Sequence, residues 1–188
     1  MVTIVLPYDA LVVLVGVSGS GKSTFAARHF GSTEVVSSDA LRAMVADDPA
    51  DQSATRAAFE LLALIARRRL QRGRLTVVDA TSVRRRDRSA LVGLARSAGR
   101  PVVAIVLDPP LATCLEHNAS RPDRQVEPSV VERQRAELVR SLAAPGGIEG
   151  EGFSVVHRFD DARIVGRASV RRTGSPGGDP GGRGSAEL

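Results

Sequence analysis

Residues 16–24 read Gly-Val-Ser-Gly-Ser-Gly-Lys-Ser-Thr. They match the pattern G-x-x-x-x-G-K-[ST], in which glycines let a loop wrap so that successive backbone N–H groups point at phosphate oxygens. An apolar run, ALVVLVG at 10–16, precedes the loop, and a helical pattern, TFAARHF at 24–30, follows it. A buried strand, a glycine loop and a helix N-terminus together predict a site for a nucleoside triphosphate.

Lys22 is the only lysine in the chain. Apart from the histidines, every other basic residue is an arginine. A compact ammonium on a flexible stem fits inside a loop wrapped around the β- and γ-phosphates, where a planar guanidinium does not. The hydroxyl of Ser23, the next residue, is predicted to be a Mg²⁺ ligand. The residues predicted to bind ATP in this loop are Gly16, Ser18, Gly19, Ser20, Gly21, Lys22, Ser23 and Thr24.

Apolar runs alternate with helical patterns along the chain, which predicts an α/β fold with a parallel sheet covered by helices on both faces. The predicted strands are 10–16, 33–38, 74–80, 101–108 and 153–160. We therefore expect a five-stranded P-loop phosphotransferase fold at 1–165. Residues 166–188 carry seven glycines and two prolines, and they are predicted to be a flexible tail or linker.

Composition excludes several classes of protein. No apolar run approaches the roughly 20 residues of a membrane helix, and the N-terminus lacks the features of a secretory signal. The single cysteine excludes an internal disulfide and is compatible with the cytoplasm, where we expect the protein. A net charge of +5 is compatible with nucleic acid, although aromatic residues at 3% disfavour a base-stacking platform.

Two aspartates follow predicted strands at the edge of the sheet where such folds bind ligands. Asp79 ends the third strand and is predicted to hold Mg²⁺ through a water molecule, with a loop cap for Thr81 or Ser82 as the alternative. Asp108 ends the fourth strand, but the sequence DPP there favours a turn.

Asp39 and Arg42 follow the second strand and share one face of a helix, since they are three residues apart. The aspartate is a candidate general base for an acceptor hydroxyl, and the arginine a candidate for gripping an acceptor phosphate. A helix cap at Ser38 or Asp39 with a surface arginine explains the spacing equally well. In RPDRQ, Arg121 and Arg124 lie between two predicted helices and either close over the phosphates or form a solvated connection.

Four further arginines, at 67, 68, 69 and 72, fall in the last turns of the helical pattern at 53–73. There they complement the helix dipole, which is the favoured interpretation, and a polyanion site is the lesser one.

The stretches VVLVGVSGSGKSTFAARHF, EVVSSDALR, LTVVDATSV and RPDRQVE, in this order, resemble the kinase module of bacterial polynucleotide kinase–phosphatases, which are RNA end-healing enzymes. The resemblance covers roughly 5–160. It implies transfer of the γ-phosphate of ATP to the 5′-hydroxyl end of RNA or DNA, with Mg²⁺ as cofactor. It also implies further phosphatase and ligase-like domains in a longer chain. The roles it implies for single residues are ATP and Mg²⁺ binding by Lys22 and Ser23, general base for Asp39, acceptor contact for Arg42 and lid contact for Arg124.

The chain departs from this family at two positions. His117 stands where relatives tend to carry a second lid arginine, and Ser82 ends DATS where the family has DATN. The stretch around Gln52 also resembles the family and is expected near the acceptor. A P-loop kinase for a sugar or antibiotic shares the same loop, aspartate and lid, so the acceptor separates the two. A non-catalytic nucleotide-binding module is a third interpretation.

Overall fold

The computed structural model describes residues 2–121 and 125–174. Its strands are β1 (Thr3–Pro7), β2 (Leu11–Val15), β3 (Val35–Ser37), β4 (Thr76–Asp79), β5 (Val102–Leu107), β6 (Val155–Phe159) and β7 (Ser169–Thr173). Its helices are α1 (Lys22–His29), α2 (Ser38–Ala46), α3 (Thr55–Gln71), α4 (Arg85–Ser97), α5 (Leu111–Ala119), α6 (Pro128–Ala143) and α7 (Ala162–Arg167), with a 3₁₀ turn at Glu149–Glu151.

Five strands form one parallel sheet in the order β3-β4-β2-β5-β6, which confirms the predicted α/β P-loop fold. Strand β2, which leads into the glycine loop, lies at the centre between β4 and β5. In register, Leu14 pairs with Asp79 on one side and with Ile105 on the other. The carboxyl ends of β3, β4 and β2 therefore lie side by side along one edge of the sheet.

Both faces of the sheet are covered, because successive side chains of β2 enter two different apolar clusters. Leu11, Val13 and Val15 pack in the cluster that also receives α3, α4 and α6. The alternate residues Val12 and Leu14 pack in the second cluster, with α1 and β1. A strand buried on both faces needs the continuous apolar run that the sequence shows.

The predicted tail begins too early, since residues 169–173 form strand β7. This strand pairs in parallel with β1 in a separate two-stranded sheet, and β1 was not predicted either. Ile4 and Leu6 of β1 are fully buried, and Arg172 of β7 donates two hydrogen bonds of 2.7 Å to Glu34. The boundary at 165 is therefore too early, because strand β7 extends through Thr173. The rest of the predicted tail, 175–188, lies outside the described residues.

The N-cap of helix α2 lies one residue before Ser38 and two before Asp39, the two predicted caps. Ser37 is its N-cap, and its hydroxyl accepts a hydrogen bond of 3.4 Å from the Ala40 N–H. Across the described ranges, no helix is long and apolar enough to cross a membrane.

Candidate functional site

The glycine loop joins the end of β2 to the start of α1. Gly19 and Gly21 adopt the left-handed backbone conformation, with φ of +80° and +95°. A Cβ on Gly19 would lie 2.0 Å from the carbonyl oxygen of Cys114 in α5, whereas a Cβ on Gly21 would meet no atom within 4 Å. The Gly16 N–H also donates to the Thr81 carbonyl at 3.0 Å, so the loop is held from outside and open on its inner side.

Lys22 is the first residue of α1 and only 7% exposed. Its ammonium donates to the Val17 carbonyl at 2.8 Å and lies 3.5 Å from the Ser20 hydroxyl. Within the described ranges no side chain caps the N-terminus of α1, and the dipole of a helix favours an anion at this end. Ser23 and Thr24 are exposed on this first turn. These residues fit a nucleotide triphosphate group.

Asp79, the candidate metal residue, is the last residue of β4 and is buried. It pairs in register with Ser37 of β3 and with Leu14 of β2, which places it beside the glycine loop. The described residues contain no group of three or more His, Cys, Asp or Glu side chains able to hold an ion. The Asp79 carboxylate and the Ser23 hydroxyl fit Mg²⁺, which keeps water ligands and binds through phosphates and one or two protein oxygens.

Asp39 and Arg42 form the predicted pair on α2. The Arg42 guanidinium donates to the Asp39 carboxylate, and the Ser38 hydroxyl lies 3.3 Å from the same oxygen. Arg42 is only 5% exposed and its Nε donates to the Pro49 carbonyl at 2.9 Å. Burial lowers the pKa of Arg42, which stays charged because its usual value is so high.

The alternative of a helix cap with a surface arginine does not hold, because Ser37 is the cap and Arg42 is buried. Adjacent strands are about 4.8 Å apart, so the start of α2 lies roughly 10 Å from the end of β2. The pair is thus brought to the edge of the sheet that carries the glycine loop. Its catalytic role stays a prediction.

The predicted lid is described only in part. Arg121 is partly exposed at the end of α5, and Arg124 lies outside the described residues. Asn118 closes the base of this segment, because its amide donates to the Val126 carbonyl at 2.6 Å and accepts from the Val126 N–H at 3.1 Å. The contacts of Arg121 and Arg124 with phosphates stay predictions.

Two side chains from the helices that flank this segment hold the glycine loop. His117 of α5 has its Nδ1 at 3.1 Å from the Gly19 carbonyl, and Gln134 of α6 accepts a hydrogen bond of 2.8 Å from the Ser18 N–H. His117 is an exposed residue, yet its ring nitrogen contacts the backbone of the loop. Gln134 carries no motif, and the sequence contains no signal that would have found it.

Cys114 is fully buried in α5 against this loop. Burial raises the pKa of its thiol, and the charge of Lys22 opposes that rise to a lesser degree. A thiol held protonated is a packing group rather than a nucleophile.

Three other candidates have local partners. Asp108 forms an ion pair with Arg135, which links the end of β5 to α6. Gln52 is exposed, with its amide donating to the Ala50 carbonyl at 3.1 Å, and its place near an acceptor stays a prediction. Ser82 has a φ of +46°, a conformation that asparagine adopts more readily than serine.

A buried ion pair that no sequence pattern indicated supports the segment after β4. Arg88 and Glu151 are both fully buried in their side chains, and Arg88 Nε donates to Glu151 at 2.7 Å. Arg88 also donates to the carbonyls of Ser82 and Val83, each at 2.9 Å, and to the Ser141 hydroxyl. All five guanidinium N–H groups are therefore used, which a buried charge requires.

Known proteins share this fold. A family model described as AAA domain matches residues 11–145. No curated protein sequence matches the chain. Among solved structures, a chain of the Pnkp1/Rnl/Hen1 RNA repair complex is 21% identical, with a TM-score of 0.60 over 71% of this chain and 45% of that one. This chain thus spans less than half of that match.

Two further structures match nearly along their whole length. Chaetomium thermophilum Kti12 in complex with ADP-AlF3 is 18% identical, with a TM-score of 0.59 over 84% of this chain and 94% of that one. A sugar kinase from Janibacter sp. HTCC2649 is 22% identical, with a TM-score of 0.56 over 86% and 92%. At these identities the likeness is one of fold.

Proposed function

The chain belongs to the AAA domain family, and from that premise we propose that it is an ATP-dependent kinase for the 5′-hydroxyl ends of RNA or DNA. Its fold is the nucleotide-binding α/β fold of P-loop kinases. The observation that carries the proposal is the Asp39–Arg42 ion pair at the edge of the sheet that holds the glycine loop. It supplies an acid–base group and a fixed positive charge for an acceptor.

The nucleotide would bind with its β- and γ-phosphates inside the glycine loop, against the N-terminus of α1. Lys22 would turn from the Val17 carbonyl to these phosphates, since its flexible stem allows that change. Ser23 would be a ligand of Mg²⁺, and Asp79 would hold one of its waters. When bound, the ion would neutralise charge on the phosphates.

The acceptor would approach from the side of α2. Asp39 takes the proton of the acceptor hydroxyl as the hydroxyl oxygen bonds to the γ-phosphorus. The bond between the γ-phosphorus and the β,γ-bridging oxygen breaks and ADP is released. Arg42 is held by the Pro49 carbonyl and would bind the first phosphate of the acceptor strand. Arg121 and Arg124 would offset charge on the transferred group.

A kinase for a small alcohol such as a sugar is the second candidate. The observation favouring it is coverage, because the sugar kinase structure matches 86% of this chain and 92% of its own. The 45% coverage of the RNA repair chain instead fits a module of a longer protein with phosphatase and ligase-like domains. These additional phosphatase and ligase-like domains are part of the proposal.

The decisive experiment supplies γ-labelled ATP and Mg²⁺ with either a 5′-hydroxyl RNA or DNA strand or a panel of sugars and other alcohols. We expect label on the strand, with a higher kcat/KM than on any small alcohol. Asp39→Asn should lower kcat by about 10²–10⁴-fold, since general base catalysis contributes that much, while ATP affinity stays within twofold.

Glu60→Gln is the matched control, because it removes a carboxylate from an exposed helical ion pair with Arg56. Its transfer rate should equal that of the wild type. Transfer at the wild-type rate by Asp39→Asn would remove Asp39 from the mechanism, and label on a sugar alone would replace the first candidate with the second.

A further inference from the structure

A groove of about 680 Å³ lies at the C-terminal end of α3, away from the site just described. It is lined by Arg68, Arg69, Arg72 and Arg74 and by the apolar residues Leu64 and Ile65. We call it the arginine groove. We propose that it binds the sugar–phosphate backbone of the single-stranded acceptor, several nucleotides from the reacting 5′ end. This inference rests on the proposed function and names a second contact with the same substrate.

The arginine groove is lined by four arginines and one carboxylate, so it carries an excess of positive charge. Arg68, Arg72 and Arg74 are exposed, and none of them has an ion-pair partner among the described residues. The acidic residue lining the groove, Glu34, is already held by two hydrogen bonds from Arg172. The groove therefore presents a concentrated positive charge, which favours a ligand with several phosphates.

Arg69 gives the groove a fixed wall. Its Nε lies 3.3 Å from the Thr76 hydroxyl, and its terminal nitrogen donates to the Leu75 carbonyl at 2.8 Å. The three exposed arginines around it are long side chains able to adjust to a strand. The dipole of α3 accounts for positive charge in its last turn, but Arg74 lies beyond the helix end and also lines the groove.

The position of α3 connects the groove with the proposed acceptor site. The segment before α3 includes Pro49, whose carbonyl holds Arg42, and α3 then runs for 17 residues, or about 25 Å. A stacked single strand has one phosphate per roughly 3.4 Å, so the groove would meet the strand about seven nucleotides from its 5′ end. Acceptors shorter than that would not reach it.

The outer face of α3 supplies a surface between the two ends. Leu61, Leu64 and Ile65 are exposed by 37%, 49% and 36%, and they share a face with Arg68 and Arg72. Aliphatic side chains followed by arginines suit the faces of sugars and bases followed by phosphates. A docked protein would use the same apolar residues, but it would leave the arginine charges to be matched by acidic groups.

The test compares wild type with a variant carrying Arg68→Ala, Arg72→Ala and Arg74→Ala on 5′-hydroxyl RNA strands of 4 and 20 nucleotides. We expect the KM for the 20-mer to rise at least tenfold with kcat unchanged, and both constants for the 4-mer to stay within twofold. In fluorescence anisotropy, the slope of log affinity for the 20-mer against log salt should fall by about 0.7 for each phosphate that the variant no longer binds.

The matched control replaces three other exposed arginines, Arg86, Arg140 and Arg163, and so removes the same net charge. It should leave the KM for the 20-mer within twofold of wild type. Equal effects of the two triple variants, or equal losses on both strand lengths, would overturn the proposal. The proposal would also be overturned if the Arg68, Arg72 and Arg74 variant bound the 20-mer as tightly as wild type but bound an acidic protein more weakly.

Anisotropy separates this inference from the proposed function. A wild type that binds the 20-mer through the arginine groove but phosphorylates neither strand would contradict the proposed function and support the groove. If the wild type and the triple variant both phosphorylate the two strands with the same KM, the result would support the proposed function and overturn the role of the groove.

Discussion

Gly19 shows how a single residue in the glycine loop is constrained from outside the site. Its left-handed backbone alone would favour glycine, and the Cys114 carbonyl leaves no room for a side chain. Gly21 has the conformational requirement but not the steric one. The same motif therefore contains glycines kept for different physical reasons, and substitutions at them should differ in effect.

We expect Gly19→Ala to destabilise the protein by about 3 kcal/mol or more and to weaken nucleotide binding at least tenfold. The new Cβ adds left-handed strain to a backbone clash that can be relieved only by moving the loop or α5. Chemical denaturation and calorimetric titration with ATP measure the two effects.

Gly93→Ala is the control for that substitution. Gly93 lies inside α4, and a Cβ there meets no atom within 4 Å. Alanine should stabilise the helix by about 0.5–1 kcal/mol and leave ATP affinity unchanged. An ATP affinity of Gly19→Ala equal to that of the wild type would contradict the steric argument.

At the scale of elements, α5 and α6 connect the segment that carries the predicted lid to the glycine loop. Each helix sends one polar side chain to the loop backbone, His117 to Gly19 and Gln134 to Ser18. Asn118 joins the start and end of the intervening segment. A displacement of these helices would therefore shift the glycine loop, because the hydrogen bonds of His117 and Gln134 both end on its backbone.

Gln134→Ala removes the acceptor of the Ser18 N–H and leaves that group without a partner. Loss of one such bond costs about 1–2 kcal/mol, so we expect the KM for ATP to rise about tenfold while kcat changes less than threefold. Steady-state kinetics at saturating acceptor measure this split.

Glu132→Ala tests whether any shortening of an α6 side chain has the same result. Glu132 is exposed on the same helix, so its variant should keep the wild-type KM. If Gln134→Ala lowered kcat as strongly as it raised KM, or changed neither, the positioning role would be excluded.

At the scale of the whole molecule, the two ends of the described chain support each other. Strands β1 and β7 pair although Thr3 and Ser169 are 166 positions apart, and their hydroxyls lie 3.1 Å from each other. Ile4 and Leu6 of β1 extend the apolar cluster under α1. The strand pair thus stabilises the helix that begins with Lys22, at a distance from any motif.

Truncation tests this arrangement. Removing 168–188 deletes β7, and we expect the free energy of unfolding to fall by about 2–4 kcal/mol because β1 loses its partner and apolar cover. Removing only 175–188 keeps β7 and is the control, with no change beyond about 0.5 kcal/mol. Denaturation curves of the two truncated proteins would coincide if β7 were dispensable.

Local patterns were sufficient for the five strands, the glycine loop and the shared helix face of Asp39 and Arg42. An apolar run covered on both faces, glycines before a helix start and an i, i+3 spacing each reflect interactions between neighbours in sequence. Strands β1 and β7 were missed because each is short, and each is stabilised as a strand only by pairing with the other. The cap of α2 was predicted one or two residues late, at Ser38 or Asp39, since serines occupy both 37 and 38.

Sequence by itself determined that this protein has a phosphate-binding loop on a parallel α/β sheet, because loop and sheet follow from steric rules that act over a few residues. Tertiary structure alone decided which side chains hold that loop and that residues 169–173 form a strand paired with β1. Gln134, Arg88 with Glu151, and the β1–β7 pair join positions 63 or more residues apart. Contacts over such separations depend on how layers pack, and no local pattern encodes them.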